Sequence, residues 1–335
     1  MAGTLPSRLF GQSLTTVGPT MRHKIVAMGE VLWDLLPAGP QLGGAPANFA
    51  YHCRGLGGDA RLVTRVGNDA RGAAVLDRFQ QLNLPTANVQ VDPDHPTGTV
   101  EVAFDAAGQP RYTIRADVAW DAIEADSPAL DLVRQADAVC FGSLAQRAEG
   151  SRRSIRALVA AARPGAFRIF DVNLRAPFVD RDVIAESLGL ANILKLNEHE
   201  LPELAEMFGL AAGAVRPALV GLARCFGLSL VALTRGGEGS LLMADGVWSD
   251  HPGVASVVVA DTIGAGDAFT AALVVGLLAG RPLEAINDHA NNVAAFVCSQ
   301  PGATPALPDS LRLPTSTACS SLVSPRPLSS LEVRS

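Results

Sequence analysis

The sequence predicts an α/β protein: a doubly wound, mostly parallel sheet flanked by helices, with a small β lid. Three observations carry this expectation. Of 335 residues, 48% are hydrophobic but only 5% aromatic, so the core is built mainly from Ala, Val and Leu, which suits helices packed on a parallel sheet. From Ala138 onward, apolar runs of strand length alternate with helical patterns, as right-handed crossovers require. Earlier, segments 99–104 and 111–115 alternate in polarity around Asp105, Ala106, Ala107 and Gly108, the pattern of a half-exposed hairpin.

In chain order, 25–28 is a short apolar run closed by Gly29 and reads as a buried first strand. Residues 61–66 read as a second strand and 70–82 as an amphipathic helix. Further strands are expected at 138–142, 167–172, 192–196 and 228–233. The apolar run 256–260 reads as a strand entering a turn of small residues. The following helix, 268–279, is stopped by Gly280 and Pro282. The hairpin stands outside these layers and is expected to close over the site as a lid, contributed by about 31–37 and 97–116. Residues 22–308 read as the folded domain, 1–21 as a disordered N-terminal extension and 309–335 as a disordered Ser/Pro-rich tail. The extension has no acid before Glu30 and resembles a transit peptide loosely, while Met21 offers an alternative start just before the first strand.

Several classes are excluded. A net charge of −6 without a Lys/Arg block argues against nucleic acid as a partner. No uncharged apolar stretch reaches the ~20 residues of a membrane span. The five cysteines are scattered, without a C-x-x-C pair, and read as reduced thiols of a cytoplasmic protein. The only lysines are Lys24 and Lys195, neither in a P-loop motif. Gly55-Leu56-Gly57-Gly58-Asp59-Ala60 matches a dinucleotide fingerprint in spelling, but it follows a helical run rather than a strand. The six histidines show no metal-ligand spacing.

The most informative segment is Asp261-Thr262-Ile263-Gly264-Ala265-Gly266-Asp267. A turn of small residues at a helix start presents backbone N–H groups at the positive end of the helix dipole, an anion hole for a phosphoryl group. Asp267, on the first turn of that helix, either caps it or accepts a proton from a substrate hydroxyl. Gly43-Gly44-Ala45-Pro46-Ala47-Asn48 again allows close approach before a helix, and Asn48 either binds a polyol or faces water. Asp34 is a lone acid in an apolar run, costly to bury unless it meets partners such as sugar hydroxyls.

Together these segments resemble the ribokinase-like, PfkB-type carbohydrate kinases over about residues 22–308. The D-T-I-G-A-G-D stretch is similar to the family's second signature and G-G-A-P-A-N to the first. The resemblance implies a ribokinase-like fold and the following roles. Asp267 would be the base and Gly264, Ala265 and Gly266 the anion hole. Asp34, Gly43, Gly44 and Asn48 would bind the sugar, with Arg115 as a lid arginine and Arg175 from Asp171-Val172-Asn173-Leu174-Arg175 beside it. Thr234, Gly236, Gly239 and Gly266 would follow the nucleotide phosphates, Asn197 would stand beside them, and Asn291 would flank the adenine. Glu200, in Asn197-Glu198-His199-Glu200, would organise Mg²⁺ mainly through water, or merely open a helix. Carbonyls at Asp261, Ile263, Val297 and Gly302 would match the family's site for a monovalent cation such as K⁺.

The expected activity is ATP-dependent phosphorylation of a sugar primary hydroxyl, with a fructokinase first because D-x-N-x-R resembles those members. A 2-keto-3-deoxygluconate kinase is second, then a ribokinase or nucleoside kinase. A non-catalytic sugar or nucleotide sensor is disfavoured because Asp267 and its glycines are intact. A homodimer formed through the lid hairpin is expected, because a two-stranded sheet is marginal in water unless its apolar face is covered.

Overall fold

A computed structural model describes residues 22–37, 39–104, 110–211 and 213–312. The expected extension, the hairpin turn at 105–108 and the tail from 313 lie outside the described residues. The chain runs β1 (Lys24–Met28), β2 (Leu32–Leu36), β3 (Gly39–Gly43), α1 (Ala45–Gly55), β4 (Asp59–Gly67), α2 (Ala70–Gln81), β5 (Val89–Asp92), β6 (Gly98–Phe104), β7 (Pro110–Ile114), α3 (Ser127–Arg134), β8 (Ala138–Gly142), α4 (Glu149–Ala161), β9 (Phe167–Asp171), α5 (Arg181–Leu190), β10 (Ile193–Asn197), α6 (Glu200–Met207), α7 (Val215–Phe226), β11 (Leu230–Thr234), β12 (Ser240–Ala244), β13 (Val247–His251), α8 (Ala265–Leu278) and α9 (Leu283–Cys298).

The main sheet has the order β13-β12-β11-β10-β9-β8-β1-β4-β5. It is parallel from β11 to β5, and β12 and β13 are antiparallel. Its strands are apolar because both faces are covered. In β1, Ile25 and Ala27 pack into one half of the core and Val26 and Met28 into the other. The first half also holds α1, α2, α8 and α9; the second holds α3 to α7. Helix α8 is apolar nearly all round because it is wedged between α1 and α9. The chain moves outward from β1 to β4 and β5, then returns to lay β8 on the other side of β1. That reversal creates a crevice beyond the carboxyl ends of β1 and β8, where doubly wound sheets bind ligands.

A second sheet, ordered β3-β2-β6-β7, is the lid. Its base is anchored by Asp69, which caps α2 through the Gly72 amide (2.7 Å) and also accepts from the amide (2.9 Å) and hydroxyl (2.7 Å) of Thr97, just before β6.

The structure corrects the sequence-based expectations at four places. The lid draws on 32–36 as expected, with β2 parallel to β6, but β3 pairs with β2 as an unexpected fourth strand, so the β6–β7 hairpin is not an isolated two-stranded sheet. Segment 256–260 is not a strand: Ala260 and Asp261 donate their amides to the Cys298 carbonyl (2.8 and 3.2 Å), while β13 takes the sheet edge. Its valines point outward, Val258 being 84% exposed. The antiparallel turn-back through β12 and β13 has no counterpart in the sequence-based expectation. Asp309–Leu311, assigned to the tail, forms a 3-10 turn held by His289 Nε2 against the Leu311 carbonyl (2.8 Å).

Candidate active site

Five chain segments converge on the crevice: the loop after β1, the start of α1, the ends of β8 and β9, and the start of α8. Gly264 is the N-cap of α8, with a left-handed backbone (φ 79°). A Cβ there would also lie 2.5 Å from the Ala303 carbonyl oxygen, so only glycine suits the position. The Ala265 amide turns to the Thr262 carbonyl (3.3 Å), whereas the amides of Gly264 and Gly266 have no backbone acceptor among the described residues. Of the three amides expected to form an anion hole, those of Gly264 and Gly266 are therefore free of backbone partners and that of Ala265 is not.

Asp267 occupies the first turn of α8 but does not cap it. Its Oδ2 accepts from Nδ2 of Asn48 on α1 at 2.8 Å. The residue is half-buried, and desolvation of its carboxyl by the surrounding protein pushes it up to about 6. The Asn48 hydrogen bond opposes that rise, Asp171 adds to it, and Lys195 and Arg175 oppose it. A carboxylate tuned this close to neutrality suits a general base. Asn48 thus fixes the orientation of the Asp267 carboxyl.

Asp34, in β2, is half-buried and raised above the usual carboxylate range by burial, with Arg175 acting against the shift. The tight space at Gly43 is filled by the Asp34 carboxylate, and a Cβ on Gly44 (φ 118°) would lie 2.6 Å from the Glu30 carbonyl oxygen. Arg175 sits exposed beyond β9. Its charge acts on Asp34, Glu30 and Asp267, so it stands near all three carboxyls. Arg115 is exposed one residue past β7, its amide bound to the Thr99 carbonyl (3.0 Å). Its carbonyl accepts from Arg147 Nη2 (2.5 Å). Arg115 is not among the leading charges acting on those three carboxyls.

Asn197 and Glu200 cap the start of α6 reciprocally. Asn197 Oδ1 accepts from the amides of His199 (2.9 Å) and Glu200 (3.0 Å), and Glu200 Oε2 accepts from the Asn197 amide (2.8 Å). Glu200 Oε1 accepts from the Leu174 amide (2.9 Å), tying this corner to the loop carrying Arg175. Thr234 ends β11, and Gly236 (φ 54°) opens the loop beyond it. Gly239 (φ 77°) needs glycine because the backbone of His251 and Gly253 occupies the space of a Cβ. Asn291 is buried, donating to Ser240 Oγ (2.7 Å) and the Asn287 carbonyl (2.8 Å). It ties α9 to β12, and its donor side is not turned to the crevice. At the cation-site positions, Asp261 accepts from the amides of Ile263 (3.0 Å) and Gly302 (3.2 Å), joining the 261–263 loop to the turn after α9, next to Val297 at the helix end.

Sequence reasoning missed a buried cluster beneath Gly266 at the start of α8. Lys195 Nζ pairs with Asp171 Oδ1 at 3.1 Å, and Thr270 of α8 donates to Asp171 Oδ2 at 3.0 Å. A Cβ on Gly266 would lie 3.4 Å from that ammonium. Burial acts to lower the Lys195 pKa, but Asp171, then Glu200 and Asp267, outweigh it and hold the ammonium charged above its usual value. A lysine in an otherwise apolar strand was the available signal. Glu30, the first acid after β1, was also missed; burial pushes it up to about 7.

A tuned carboxylate beside outward glycine amides, at the reversal point of a doubly wound sheet, defines a phosphotransferase acting on an alcohol. The pfkB family carbohydrate kinase model matches residues 39–310, and the chain belongs to that family. It is an ATP-dependent carbohydrate kinase with a ribokinase-like fold. A fructokinase of Klebsiella pneumoniae is 34% identical over 320 residues, covering 86% of this chain and 97% of that protein. Among solved structures, a Pyrococcus horikoshii sugar kinase in complex with ATP is 30% identical with a TM-score of 0.70, covering 84% and 94% of the two chains. A Vibrio cholerae fructokinase double mutant with fructose, ADP and potassium bound is 26% identical with a TM-score of 0.72, covering 86% and 97%.

Proposed function

We propose that this enzyme is a fructokinase, transferring the γ-phosphoryl group of ATP to a primary hydroxyl of fructose. The observation that carries the reading is the charge of the sugar side: from Asp34 to Asn48 there is no cation, and the polar side chains are one carboxyl, Asp34, and two amides, Gln41 and Asn48. Such a surface suits a neutral polyol. Similarity to fructokinases supports it.

In this reading Asp34, Gly43, Gly44 and Asn48 bind the sugar, and Asn48 aims the Asp267 carboxylate at its hydroxyl. Asp267 takes that proton as the oxygen attacks the γ-phosphorus and the bond to the ADP oxygen breaks. The amides of Gly264 and Gly266 stabilise charge on the transferred group. Thr234, Gly236 and Gly239 form the loop along which the nucleotide phosphates lie, with Asn291 on the helix flanking the base. The lid closes over the sugar and excludes water.

Asn197 and Glu200 fit a water-mediated hold on Mg²⁺, since their oxygens are already engaged by backbone amides. Mg²⁺ supplies charge neutralisation across the phosphates. The joined loops at Asp261, Ile263, Val297 and Gly302 fit a K⁺ held by carbonyls. We place the enzyme in the cytoplasm, where its cysteines would remain thiols; among the described residues no helix is long and apolar enough to cross a membrane.

A 2-keto-3-deoxygluconate kinase is the second reading, favoured by one observation: Arg175 acts on three carboxyls of the site and is a cation available to a substrate carboxylate. An ADP-release assay over fructose, 2-keto-3-deoxygluconate, ribose and adenosine separates the readings. Fructose is expected to have the highest kcat/KM; a higher value for the keto acid replaces the assignment.

The lid sheet leaves β3 and β7 as edges among the described residues, and we place a second copy of the chain on this sheet. Sedimentation is expected to give a dimer at micromolar concentration. A fully active monomer there removes that assignment.

A further inference from the structure

Glu30 stands where the chain leaves β1 at the reversal point of the sheet, and no step described so far uses it. The residue is 5% exposed, and its Oε2 has no hydrogen-bond partner in the protein. It lines a cavity of about 20 Å³ whose other polar walls are Ser143, Asp171, Asn173 and Asp267. Neighbouring polar groups on these walls are already engaged: Ser143 donates to the Val172 carbonyl, Asp171 is held by Lys195 and Thr270, and Asp267 Oδ2 accepts from Asn48. The space admits one hydroxyl-sized group and not a sugar ring.

We propose that Glu30 is a specificity-determining residue of the sugar site, binding one hydroxyl of the substrate other than the hydroxyl that Asp267 deprotonates. A buried carboxyl oxygen without a partner is unfavourable, and the penalty is relieved when a ligand supplies the missing hydrogen bond. The cavity places Glu30 and Asp267 on one small volume, so a sugar whose reacting hydroxyl meets Asp267 can direct another hydroxyl toward Glu30. The charged groups acting on Glu30 are Arg175 beyond β9, Asp267 on α8 and Arg147 beyond β8. With burial holding its pKa near 7, the carboxyl serves as donor or acceptor around neutrality. A sugar lacking that hydroxyl leaves the carboxyl unsatisfied, and sites built around a substrate hydroxyl reject such analogues strongly.

The proposal rests on sugar phosphorylation at Asp267 and is tested by a cycle between enzyme and substrate. kcat and KM are measured for wild type, Glu30→Ala and Glu30→Gln with D-fructose and its monodeoxy derivatives at the non-reacting positions. Glu30→Ala is expected to lower kcat/KM for fructose about 10- to 100-fold, chiefly through KM. For one monodeoxy sugar, wild type and Glu30→Ala should agree within about threefold, and Glu30→Gln should fall between them on fructose. The proposal is overturned if the fructose KM of Glu30→Ala is unchanged, or if every monodeoxy sugar is penalised equally in both enzymes. Should Glu30→Ala not fold, the near-isosteric Glu30→Gln replaces it in the cycle, and the same two outcomes overturn the proposal. If wild type fails to phosphorylate fructose, the fructokinase assignment falls by itself. The cycle is then run on monodeoxy forms of the panel sugar that is turned over, where agreement or additivity decides the role of Glu30.

Discussion

Asp267→Asn should give a folded protein that binds sugar and nucleotide nearly as well as wild type and turns over about 10²–10⁴-fold more slowly. The substitution is close to isosteric, and the new amide oxygen can still accept from Asn48 Nδ2, now 2.8 Å from the carboxylate. What is lost is the capacity to take the hydroxyl proton, roughly 3–5 kcal/mol of transition-state stabilisation. Stability should change little, since Asp267 makes no cap to its own helix. The pH profile has a definite sign. The base works ionised and its pKa is raised to about 6, so kcat of wild type should fall as pH drops through about 6, well above the usual aspartate range. Measuring kcat, sugar affinity and thermal stability on one preparation checks all of this. A variant keeping more than about a tenth of wild-type kcat defeats the assignment of Asp267 as base.

Lys195→Met is expected to cost roughly 3–5 kcal/mol of folding stability, because it strands Asp171 as a buried carboxylate. Lys195 is 5% and Asp171 8% exposed, so water cannot replace the lost partner. Thr270 retains its hydrogen bond to Oδ2, but that neutral donor does not balance the charge. Adding Asp171→Asn should recover most of the loss by removing the charge left behind. Turnover of the single variant should fall at least tenfold, since the ammonium lies directly beneath Gly266 in the anion hole. Equilibrium urea unfolding of both variants reads the energetics. A loss below about 1 kcal/mol for the single variant would mean the pair is solvent-screened, contrary to its burial.

Much of the architecture was legible because its signals are local. Strands buried on both faces must be apolar throughout, so β1, β8, β9, β10 and β11 stood out at nearly their observed bounds. The small-residue start of α8 was legible for the same kind of reason: the left-handed N-cap at Gly264 favours glycine through its own backbone angles. The misreadings share the opposite cause. Residues 256–260 carry strand-like valines, but the amides there are claimed by the Cys298 carbonyl, a residue about forty positions away. Likewise β3 joins the lid because β2 pairs with it antiparallel, and no pattern within 39–43 announces that partner.

By itself, the sequence determined the layered α/β class, the positions of the core strands, and the placement of Asp267 on the first turn of a helix behind glycines. Composition, periodicity and backbone sterics act on neighbours along the chain, and they are written residue by residue. Only the tertiary structure decided what surrounds Asp267. Whether it caps its helix or serves as a base depends on Asn48, 219 positions earlier, and on the carboxyl's burial among Asp171, Lys195 and Arg175. The same holds for Lys195, Asp171 and Glu30. Charge and hydrogen bonding in an enclosed crevice depend on separation in space and on excluded water, and a linear sequence states neither.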